Sequence, residues 1–494
     1  MPALTARATP GSGGPRNAAP RRALTVAVTA VAYFMVTLDA LVVVTSLPTI
    51  HRDLGGDVGT LQWTVNAYNT AFAAGIITAA ALGDRLGRRR VYVFGLALFA
   101  AASAGCALAP NMATLIGCRA VQGIGAATVM PLGLTLLTSA FPAERRGTVV
   151  GIWGGVAGLG VAAGPLIGGG VTQALSWHWI FWVNVPVGLA AAAGARLHLP
   201  DTRGARAWLD IPALVLIGAG VGVLVWGLVQ APRDGWGGTR TLAALIVGVL
   251  LLAAFIGWES RVPEPMIPLG LFRSPGLAAA VTTQFLMAAA IQAAVFLTSQ
   301  YFQFGRGDAP LATGLRFLPW TAMPLLVAPI GGALFDRVGA RRLVVPGLLA
   351  QGAGFAWIAY LAGTGAGYGS YVLPFVVAGT GVSMALPCVP AAALNAVPPA
   401  SLGKAAGVLN TLQLFGATFG VATATVIFNA NGSLATPAAV IHGFRPGIAT
   451  AAGLSVLGAA AASRIRHTRR PPRPRPEPLA DARLDRLTPA LDRG

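Results

Sequence analysis

Two oppositely charged residues lie inside long apolar stretches of this chain. Asp39 lies within the stretch 24–48 and Arg119 within 113–137. If both stretches are membrane helices, a rise of ~1.5 Å per residue puts these charges roughly 13 Å and 10 Å deep. A charge at that depth costs at least ~2.5–3.5 kcal/mol unless it is paired or hydrated. We therefore expect the two side chains to pair. The carboxylate is then either a proton-exchanging or ligand-binding group tuned by the guanidinium, or part of a fixed structural ion pair.

A second group of charges forms a loop pattern that occurs twice. Residues 80–90 read AALGDRLGRRR and residues 331–342 read GGALFDRVGARR. The glycine permits a tight reversal, and a carboxylate at a helix end can pair with arginines or face the N-terminus of a neighbouring helix. The pattern predicts a latch between helix bundles; the alternative is that the arginines only hold the loop on one side of a membrane. The residues assigned to the latch are Asp84, Arg85, Gly87, Arg88, Arg89, Asp336, Arg337, Gly339 and Arg341.

The composition requires a nonaqueous surrounding for most of the chain. Of 494 residues, 55% are hydrophobic and 10% are charged, whereas a soluble protein carries roughly 25% charged residues. Since about 20 apolar residues cross a bilayer as a helix, we predict an all-α integral membrane protein with 14 transmembrane helices. A count of twelve would require that the stretches 209–229 and 241–258 do not cross the membrane. The predicted spans are 24–48, 61–83, 91–109, 113–137, 148–171, 179–197, 209–229, 241–258, 277–300, 311–335, 343–363, 371–393, 405–428 and 446–464.

The basic residues predict which ends of these spans face the cytoplasm. A net charge of +19 can indicate a nucleic-acid partner, but most cations here lie in the tails and in alternate loops. Because basic loops stay inside, both termini are expected to be cytoplasmic and no nucleic acid is expected to bind. The cations assigned to loops on the other side are Arg52, Arg233, Arg240, Arg306 and Arg445.

The two copies of the loop divide the chain into related halves. Each copy follows the second span of a six-span group, which indicates duplication of the kind seen in transporters with repeated halves. Cysteines lie only inside apolar spans and show no metal spacing, so no metal and no cofactor is expected. The predicted segments are a disordered cytoplasmic tail 1–22, a six-helix bundle 23–199, two additional helices with flanking loops 200–275, a second six-helix bundle 276–465 and a disordered basic tail 466–494.

The duplicated loop resembles the signature loop of the major facilitator superfamily, G-x-L-A-D-R-x-G-R-R. The first copy departs from it at Ala80 and Gly83, and the second has Ala340 where a basic residue is common. LIGCRAVQGIGAA (115–127) is similar to that family's L-x-x-x-R-x-x-Q-G-x-G-A-A pattern. GVAAGPLIGG (160–169) is similar to G-x-x-x-G-P-x-x-G-G, a pattern associated with antiporters. This chain carries it on Gly160, Gly164, Pro165, Gly168 and Gly169.

Two more segments resemble the fourteen-helix drug:proton antiporter branch of that superfamily. TLDALVVVTSLP (37–48) is similar to L-D-x-T-V-V-N-V-A-L-P, with Leu41 and Thr45 as departures. WHWIFWVNVPVG (177–188) is similar to W-R-W-I-F-x-I-N-V-P-x-G, with His178 in place of Arg.

The resemblance implies two six-helix bundles around a central cavity, with Asp39 and Arg119 as proton-coupling or substrate residues. It implies a proton-coupled multidrug or antibiotic exporter of the bacterial cytoplasmic membrane. Such a protein is a monomer and not an enzyme, and its partners are a small molecule, protons and the lipid bilayer. The alternatives are an exporter of one endogenous metabolite and a facilitator that imports a small nutrient. Candidate cavity residues are Tyr33, Asn66, Tyr68, Gln122, Asn410 and Gln413, with Trp63, Asn69, Gln284, Gln292, Gln300 and Arg316 as further candidates.

Overall fold

The computed structural model describes residues 18–465, except for 57, 142, 203–209, 236, 263–264, 266–269, 271–272, 363 and 398–401. The first helix begins at Ala18, so the predicted end of the N-terminal tail at residue 22 falls inside it. The rest of both predicted tails, 1–17 and 466–494, lies outside the described residues. The described residues form helices and contain no strand.

The N-terminal bundle consists of long helices packed through small residues. A Cβ on Gly125 would clash with the backbone at Phe99, and a Cβ on Gly123 would clash with the backbone of Tyr68. Such close approach is typical of helices that associate in a membrane. The helices are α1 (Ala18–Leu54), α2 (Val58–Leu86), α3 (Arg88–Ala107), α4 (Met112–Ser139), α5 (Ala143–Ala174), α6 (His178–Trp182) and α7 (Asn184–His198).

A hairpin of two helices, α8 (Ile211–Asp234) and α9 (Thr239–Glu259), joins the two bundles. The C-terminal bundle then repeats the long-helix pattern, and its first helix ends in a π-helical segment, Tyr301–Gly305. Its helices are α10 (Pro275–Gln300), α11 (Pro310–Thr321), α12 (Met323–Val338), α13 (Ala340–Leu361), α14 (Gly369–Ala385), α15 (Cys388–Asn395), α16 (Leu402–Asn431) and α17 (Pro437–Ala462).

Three spans predicted as single helices are interrupted. The breaks lie at Val183 between α6 and α7, at Ala322 between α11 and α12, and at Leu386 between α14 and α15, and the backbone angles at these residues remain helical. Pro324 and Pro387 stand at the last two breaks. Proline removes a backbone donor and clashes with the preceding turn, so these two interruptions have a local cause.

Ten helical spans in the described part of the chain are long and apolar enough to cross a membrane. The number is eleven if α2, which bends by 46° between Ile76 and Thr78, is taken as one span. This makes the chain a multi-pass membrane protein. The larger number predicted from the sequence remains a prediction.

Contacts near the helix ends define one face of the molecule, here called the terminal face. A Cβ on Gly194 near the end of α7 would touch Val28 near the start of α1. Just beyond α7, the carbonyl of Thr202 accepts a hydrogen bond of 2.9 Å from the backbone N–H of Arg88. In the C-terminal bundle, Ile465 belongs to the same buried cluster as the start of α13. The other face, where α1 and α5 end, is called the opposite face.

The loop that occurs twice has the same backbone in both halves. Gly87 is the only residue between α2 and α3, and Gly339 is the only residue between α12 and α13. Their φ angles are 108° and 85°, a left-handed region in which a residue with a Cβ is strained. The two halves therefore share a turn that depends on glycine at matching places.

The two bundles meet near the opposite face. The Ser299 hydroxyl donates to the carbonyl of Val44 at 3.0 Å, and the Gln303 amide donates to the carbonyl of Thr45 at 2.7 Å. Both contacts join α10 and its π-helical end to the part of α1 that lies near the opposite face. The bundles are thus held together on this side of the molecule.

Candidate functional site

The charged pair expected from the sequence lies inside the N-terminal bundle. Arg119 of α4 donates from Nη1 to Asp39 Oδ2 of α1 at 2.5 Å. The other carboxylate oxygen, Oδ1, accepts from Gln122 Nε2 at 3.0 Å and from Asn184 Nδ2 at 2.7 Å. Ser103 of α3 accepts from the same two amides at 2.5 Å and 3.3 Å. Four helices therefore meet at one carboxylate.

Arg119 is fully buried and is oriented from several sides. Its Nε donates to the carbonyl of Thr64 at 3.1 Å, and its Nη1 also donates to Gln122 Oε1 at 2.7 Å. Its guanidinium carbon lies 4.2 Å from the centroid of the Tyr68 ring, a cation–π distance. Its Nη2 has no partner among the described residues. This arrangement compensates most of the desolvation cost that a lone buried charge would carry.

The network faces away from the space between the bundles. Tyr33, Thr37 and Ala40 of α1 line a central cavity, and they follow the three-to-four-residue spacing of one helix face. Asp39 lies about 100° from Ala40 around the helix, on the side of α1 towards α4 and α7, and its side chain is almost fully buried. One helix thus carries the cavity wall on one side and the carboxylate on the other.

The central cavity has a volume of about 240 Å³ and is walled by both halves of the chain. On α1 and α10 its lining lies closer to the terminal face than the contacts that join these two helices at the opposite face. On α1 the lining ends at Leu41, before Val44, and on α10 it ends at Val295, before Ser299. The cavity is therefore closed towards the opposite face in this conformation.

The wall of the cavity is mostly apolar, with a few uncharged polar groups. Three hydroxyl groups, on Tyr33, Thr37 and Thr321, contribute to it. Its amides are those of Asn69, Gln284, Gln292, Asn410 and Gln413. Apolar walls with a small number of placed polar groups are typical of small-molecule sites.

The predicted cavity residues divide into two groups. Tyr33, Asn410 and Gln413 lie on the wall. Asn66, Tyr68 and Gln122 are fully buried and are not among the residues that line this cavity. Tyr68 packs on Arg119 and Gln122 bonds Asp39, because these side chains point into the bundle from α2 and α4.

Reasoning from the sequence missed several members of both sites. Asn184 and Ser103, which complete the carboxylate network, were not assigned a role. A signal for Asn184 existed, because an amide within the apolar segment 177–188 needs a polar partner. Thr37 and Thr321 on the cavity wall carried no such signal, since a threonine in a helix can satisfy its hydroxyl on the preceding turn.

The predicted latch makes its contacts within the N-terminal half. Arg88 Nε pairs with Asp84 Oδ1 at 2.7 Å. Arg89 donates from Nη1 to the carbonyl of Leu199 at 3.1 Å and lies 3.7 Å from Asp201. In this conformation the loop holds the segment after α7. In the second copy Arg337 and Arg341 are exposed, and the side chain of Asp336 lies outside the described residues.

The glycine motif of α5 serves two contacts. A Cβ on Gly160, Gly164 or Gly168 would clash with α1. A Cβ on Gly169 would clash with the carbonyl of Pro310 at the start of α11. The motif therefore lets α5 pack closely against α1 along one side of the helix. It also lets α5 pack closely against α11 near the opposite face of the molecule.

Pro165 lies where α5 meets both α11 and the cavity. A Cβ on Gly314 of α11 would clash with the carbonyl of Pro165, and Pro165 itself lines the cavity.

Within the described residues, no group of His, Cys, Asp and Glu could hold a metal ion. What the arrangement offers is a site between two bundles that is closed towards the opposite face and lies beside a buried ion pair.

The chain matches a known family over most of its length. A family model described as Major Facilitator Superfamily matches residues 29–421. The Tetracenomycin C resistance and export protein of Streptomyces glaucescens is 36% identical over 405 residues, which are 82% of this chain and 75% of that protein. The puromycin resistance protein pur8 of Streptomyces alboniger is 35% identical over 464 residues, 89% of this chain and 90% of that protein. The multidrug resistance protein Stp of Mycobacterium tuberculosis is 34% identical over 404 residues, 81% and 74% of the two chains.

Solved structures share the fold at low sequence identity. The peptide transporter POT in complex with sulfate has a TM-score of 0.65 at 16% identity, with 89% of this chain and 94% of that chain covered. A bacterial homolog to the human lysosomal transporter Spinster has a TM-score of 0.64 at 15% identity, covering 90% and 98%. At these identities the likeness concerns the helix arrangement alone.

Proposed function

Because this chain belongs to the Major Facilitator Superfamily, we propose that it is an efflux transporter that exports a hydrophobic or amphiphilic compound in exchange for protons. The observation that carries this is the central cavity, which is walled by both bundles and closed at the opposite face. A site of this kind can open to one side at a time. Relatives that are named for antibiotic resistance and export support the outward direction of transport.

The proposed topology has fourteen spans with the terminal face in the cytoplasm. Besides the eleven spans reached when the bent α2 is taken as one span, the helices α5, α8 and α17 then also cross the bilayer. The charge distribution supports this sidedness, because basic loops stay inside. With this sidedness, the cavity of the present conformation faces the cytoplasm. We further propose that the protein is a monomer in the bacterial cytoplasmic membrane.

We assign proton coupling to Asp39, whose pairing with Arg119 is sealed from the cavity. Protonation would remove the negative charge that Arg119, Gln122 and Asn184 hold in place. A shift of α1 on protonation of Asp39 would change the cavity directly, since Tyr33 and Thr37 of that helix lie on the cavity wall. Arg119 tunes this step and does not carry the proton, because a guanidinium stays protonated in proteins.

The test is efflux of a lipophilic antibiotic from a pump-deficient bacterial host with and without a proton gradient. The wild type should export until the gradient collapses, and Asp39→Asn should lose gradient-driven export at least tenfold. The matched control is Asp53→Asn, which alters a carboxylate bonded to Trp177 near the opposite face, outside the network. Undiminished, gradient-dependent export by Asp39→Asn would rule out the coupling role.

A narrow substrate range is the second candidate, because two of the relatives are named for one antibiotic each. A susceptibility panel in the same host separates the two: protection against many unrelated compounds supports a multidrug exporter, and protection against one chemical class supports a dedicated exporter. If the protein instead makes the same cells accumulate a compound from the medium, it is an importing facilitator.

A further inference from the structure

The polar groups on the cavity wall are all uncharged. The lining that the structure describes combines apolar side chains with amides and hydroxyls and includes no Asp, Glu, Lys, Arg or His. The nearest buried charges, Asp39 and Arg119, neutralise each other inside the bundle. A charged ligand would therefore enter this cavity without a counter-charge, which is strongly unfavourable in an apolar setting.

Two of the amides are buried with unused hydrogen-bonding capacity. Asn69 of α2 and Gln284 of α10 are each 3% exposed. The Nδ2 of Asn69 and the Oε1 of Gln284 have no partner in the described part of the chain, although both residues line the cavity. Buried polar atoms in native proteins are normally satisfied by protein, water or ligand. These two amides lie on opposite halves of the molecule, so a ligand that bonds both would bridge the bundles.

The same face of α2 continues this pattern towards the opposite face. Asn69, Asn66 and Gln62 recur at intervals of three and four residues, which places them on one side of the helix. Asn66 and Gln62 are fully buried, and neither polar atom of either amide has a partner among the described residues. Asn69, Asn66 and Gln62 thus form a row of buried amides that runs from the cavity towards the opposite face. An exported ligand would leave in that direction.

We propose that the cavity binds an uncharged ligand with an apolar body and hydrogen-bonding carbonyl, amide or hydroxyl groups, held between Asn69 and Gln284. Asn66 and Gln62 form the next hydrogen-bonding positions on its way out. This assignment rests on the proposed export function, and it narrows the substrate from any amphiphile to a neutral one. Ligands of the same shape that carry a full charge bind more weakly.

The experiment uses three ligands with one naphthalene ring and different charge: 1-naphthaleneacetamide, 1-naphthaleneacetate and 2-(1-naphthyl)ethylammonium. Binding to the purified full-length protein in lipid nanodiscs is measured by equilibrium dialysis, with empty nanodiscs subtracting the lipid contribution. The acetamide should bind at least tenfold more tightly than either ion. Equal or tighter binding of the ammonium or the acetate overturns the proposal, and this arm needs no variant.

Variants then test the two amides. Asn69→Leu and Gln284→Leu should each weaken acetamide binding about fivefold to tenfold. Gln284→Glu supplies a counter-charge and should reverse the preference towards the ammonium, because charge complementarity sets specificity. The matched control is Asn431→Asp, the same amide-to-acid change at an exposed position near the opposite face. If leucine variants that keep the wild-type melting temperature also keep wild-type affinity, or Gln284→Glu leaves the preference unchanged, the amide assignment is wrong.

The binding experiments test the ligand site separately from the proposed export function. Neutral-ligand preference without any export in cells would sink the export function and leave the site assignment standing. Export that proceeds equally well for neutral and charged ligands, with no preference in binding, would sink only the site assignment.

Discussion

At the scale of single residues, Asp39 and Arg119 each depend on the other. Both are buried beyond reach of water. Removing one partner of a buried ion pair costs ~3–5 kcal/mol because the remaining charge is uncompensated, whereas replacing both by apolar residues is often nearly neutral. We therefore predict that Arg119→Leu sharply lowers the unfolding temperature in detergent and that Asp39→Leu/Arg119→Leu regains much of the loss. Melting curves followed by intrinsic fluorescence measure both.

The control for this cycle is Arg341→Leu, which removes an exposed arginine of the second loop copy. It should leave the unfolding temperature nearly unchanged. Strictly additive losses in the double variant would show that the two side chains do not interact energetically. That outcome would contradict the ion pair as the centre of the network.

The sequence supports this pair better than it supports the remainder of the site. A charge in an apolar span demands a partner, and Arg119 lies at a depth similar to that of Asp39, so the two could be matched. Asn184 and Ser103 lie on other helices, and their approach depends on how four helices are rotated about their axes. That rotation follows from packing between helices, which a single sequence does not display.

At the scale of elements, the contact between α5 and α11 depends on glycines, and Gly169 is the one on α5. A Cβ on Gly169 would clash with the carbonyl of Pro310, whereas a Cβ on the adjacent Gly170 would make ordinary contact with Leu311 at 3.5 Å. Overpacking of this kind costs ~1–3 kcal/mol. We predict that Gly169→Ala destabilises the closed opposite face and that Gly170→Ala does not.

The measurement is the distance between spin labels at Leu175, beyond the end of α5, and Leu315 on α11, both of which are exposed. In Gly169→Ala the distance distribution should gain a longer component, while Gly170→Ala should match the unsubstituted label pair. The same distribution in all three proteins would mean that this glycine does not hold the opposite face closed.

Element positions were predictable where the chemistry is local. Apolar length located the spans, and glycine between two charged helix ends located the turns at Gly87 and Gly339. The breaks at Ala322 and Leu386 lie beside prolines and could have been anticipated from them. The orientation of the α2 amides could not, since both faces of a helix with so many small and apolar residues look alike in the sequence.

At the scale of the whole molecule, the hairpin of α8 and α9 bridges the two bundles. Val221 of α8 shares a buried cluster with Ala422 of α16, and Trp63 of α2 and Leu252 of α9 pack against it. The duplicated loop predicts the six-two-six division, which stays a prediction. The place of the hairpin was not predictable, because its contacts join residues far apart in the chain and involve no charge or motif.

Labelling of the hairpin distinguishes fourteen spans from twelve. Single cysteines replace Arg52, Arg85, Arg240 or Arg261, which are exposed, after the native cysteines are changed to serine. If all fourteen helices cross, a membrane-impermeant maleimide added to intact cells should label the cysteines at 52 and 240 and leave those at 85 and 261 unlabelled. If the hairpin stays on the cytoplasmic side, 240 becomes unlabelled while 52 is still labelled. The hydropathy of α9 favours the first outcome, because it averages 2.4 over the most apolar window of that helix and an apolar helix gains most by lying across the bilayer.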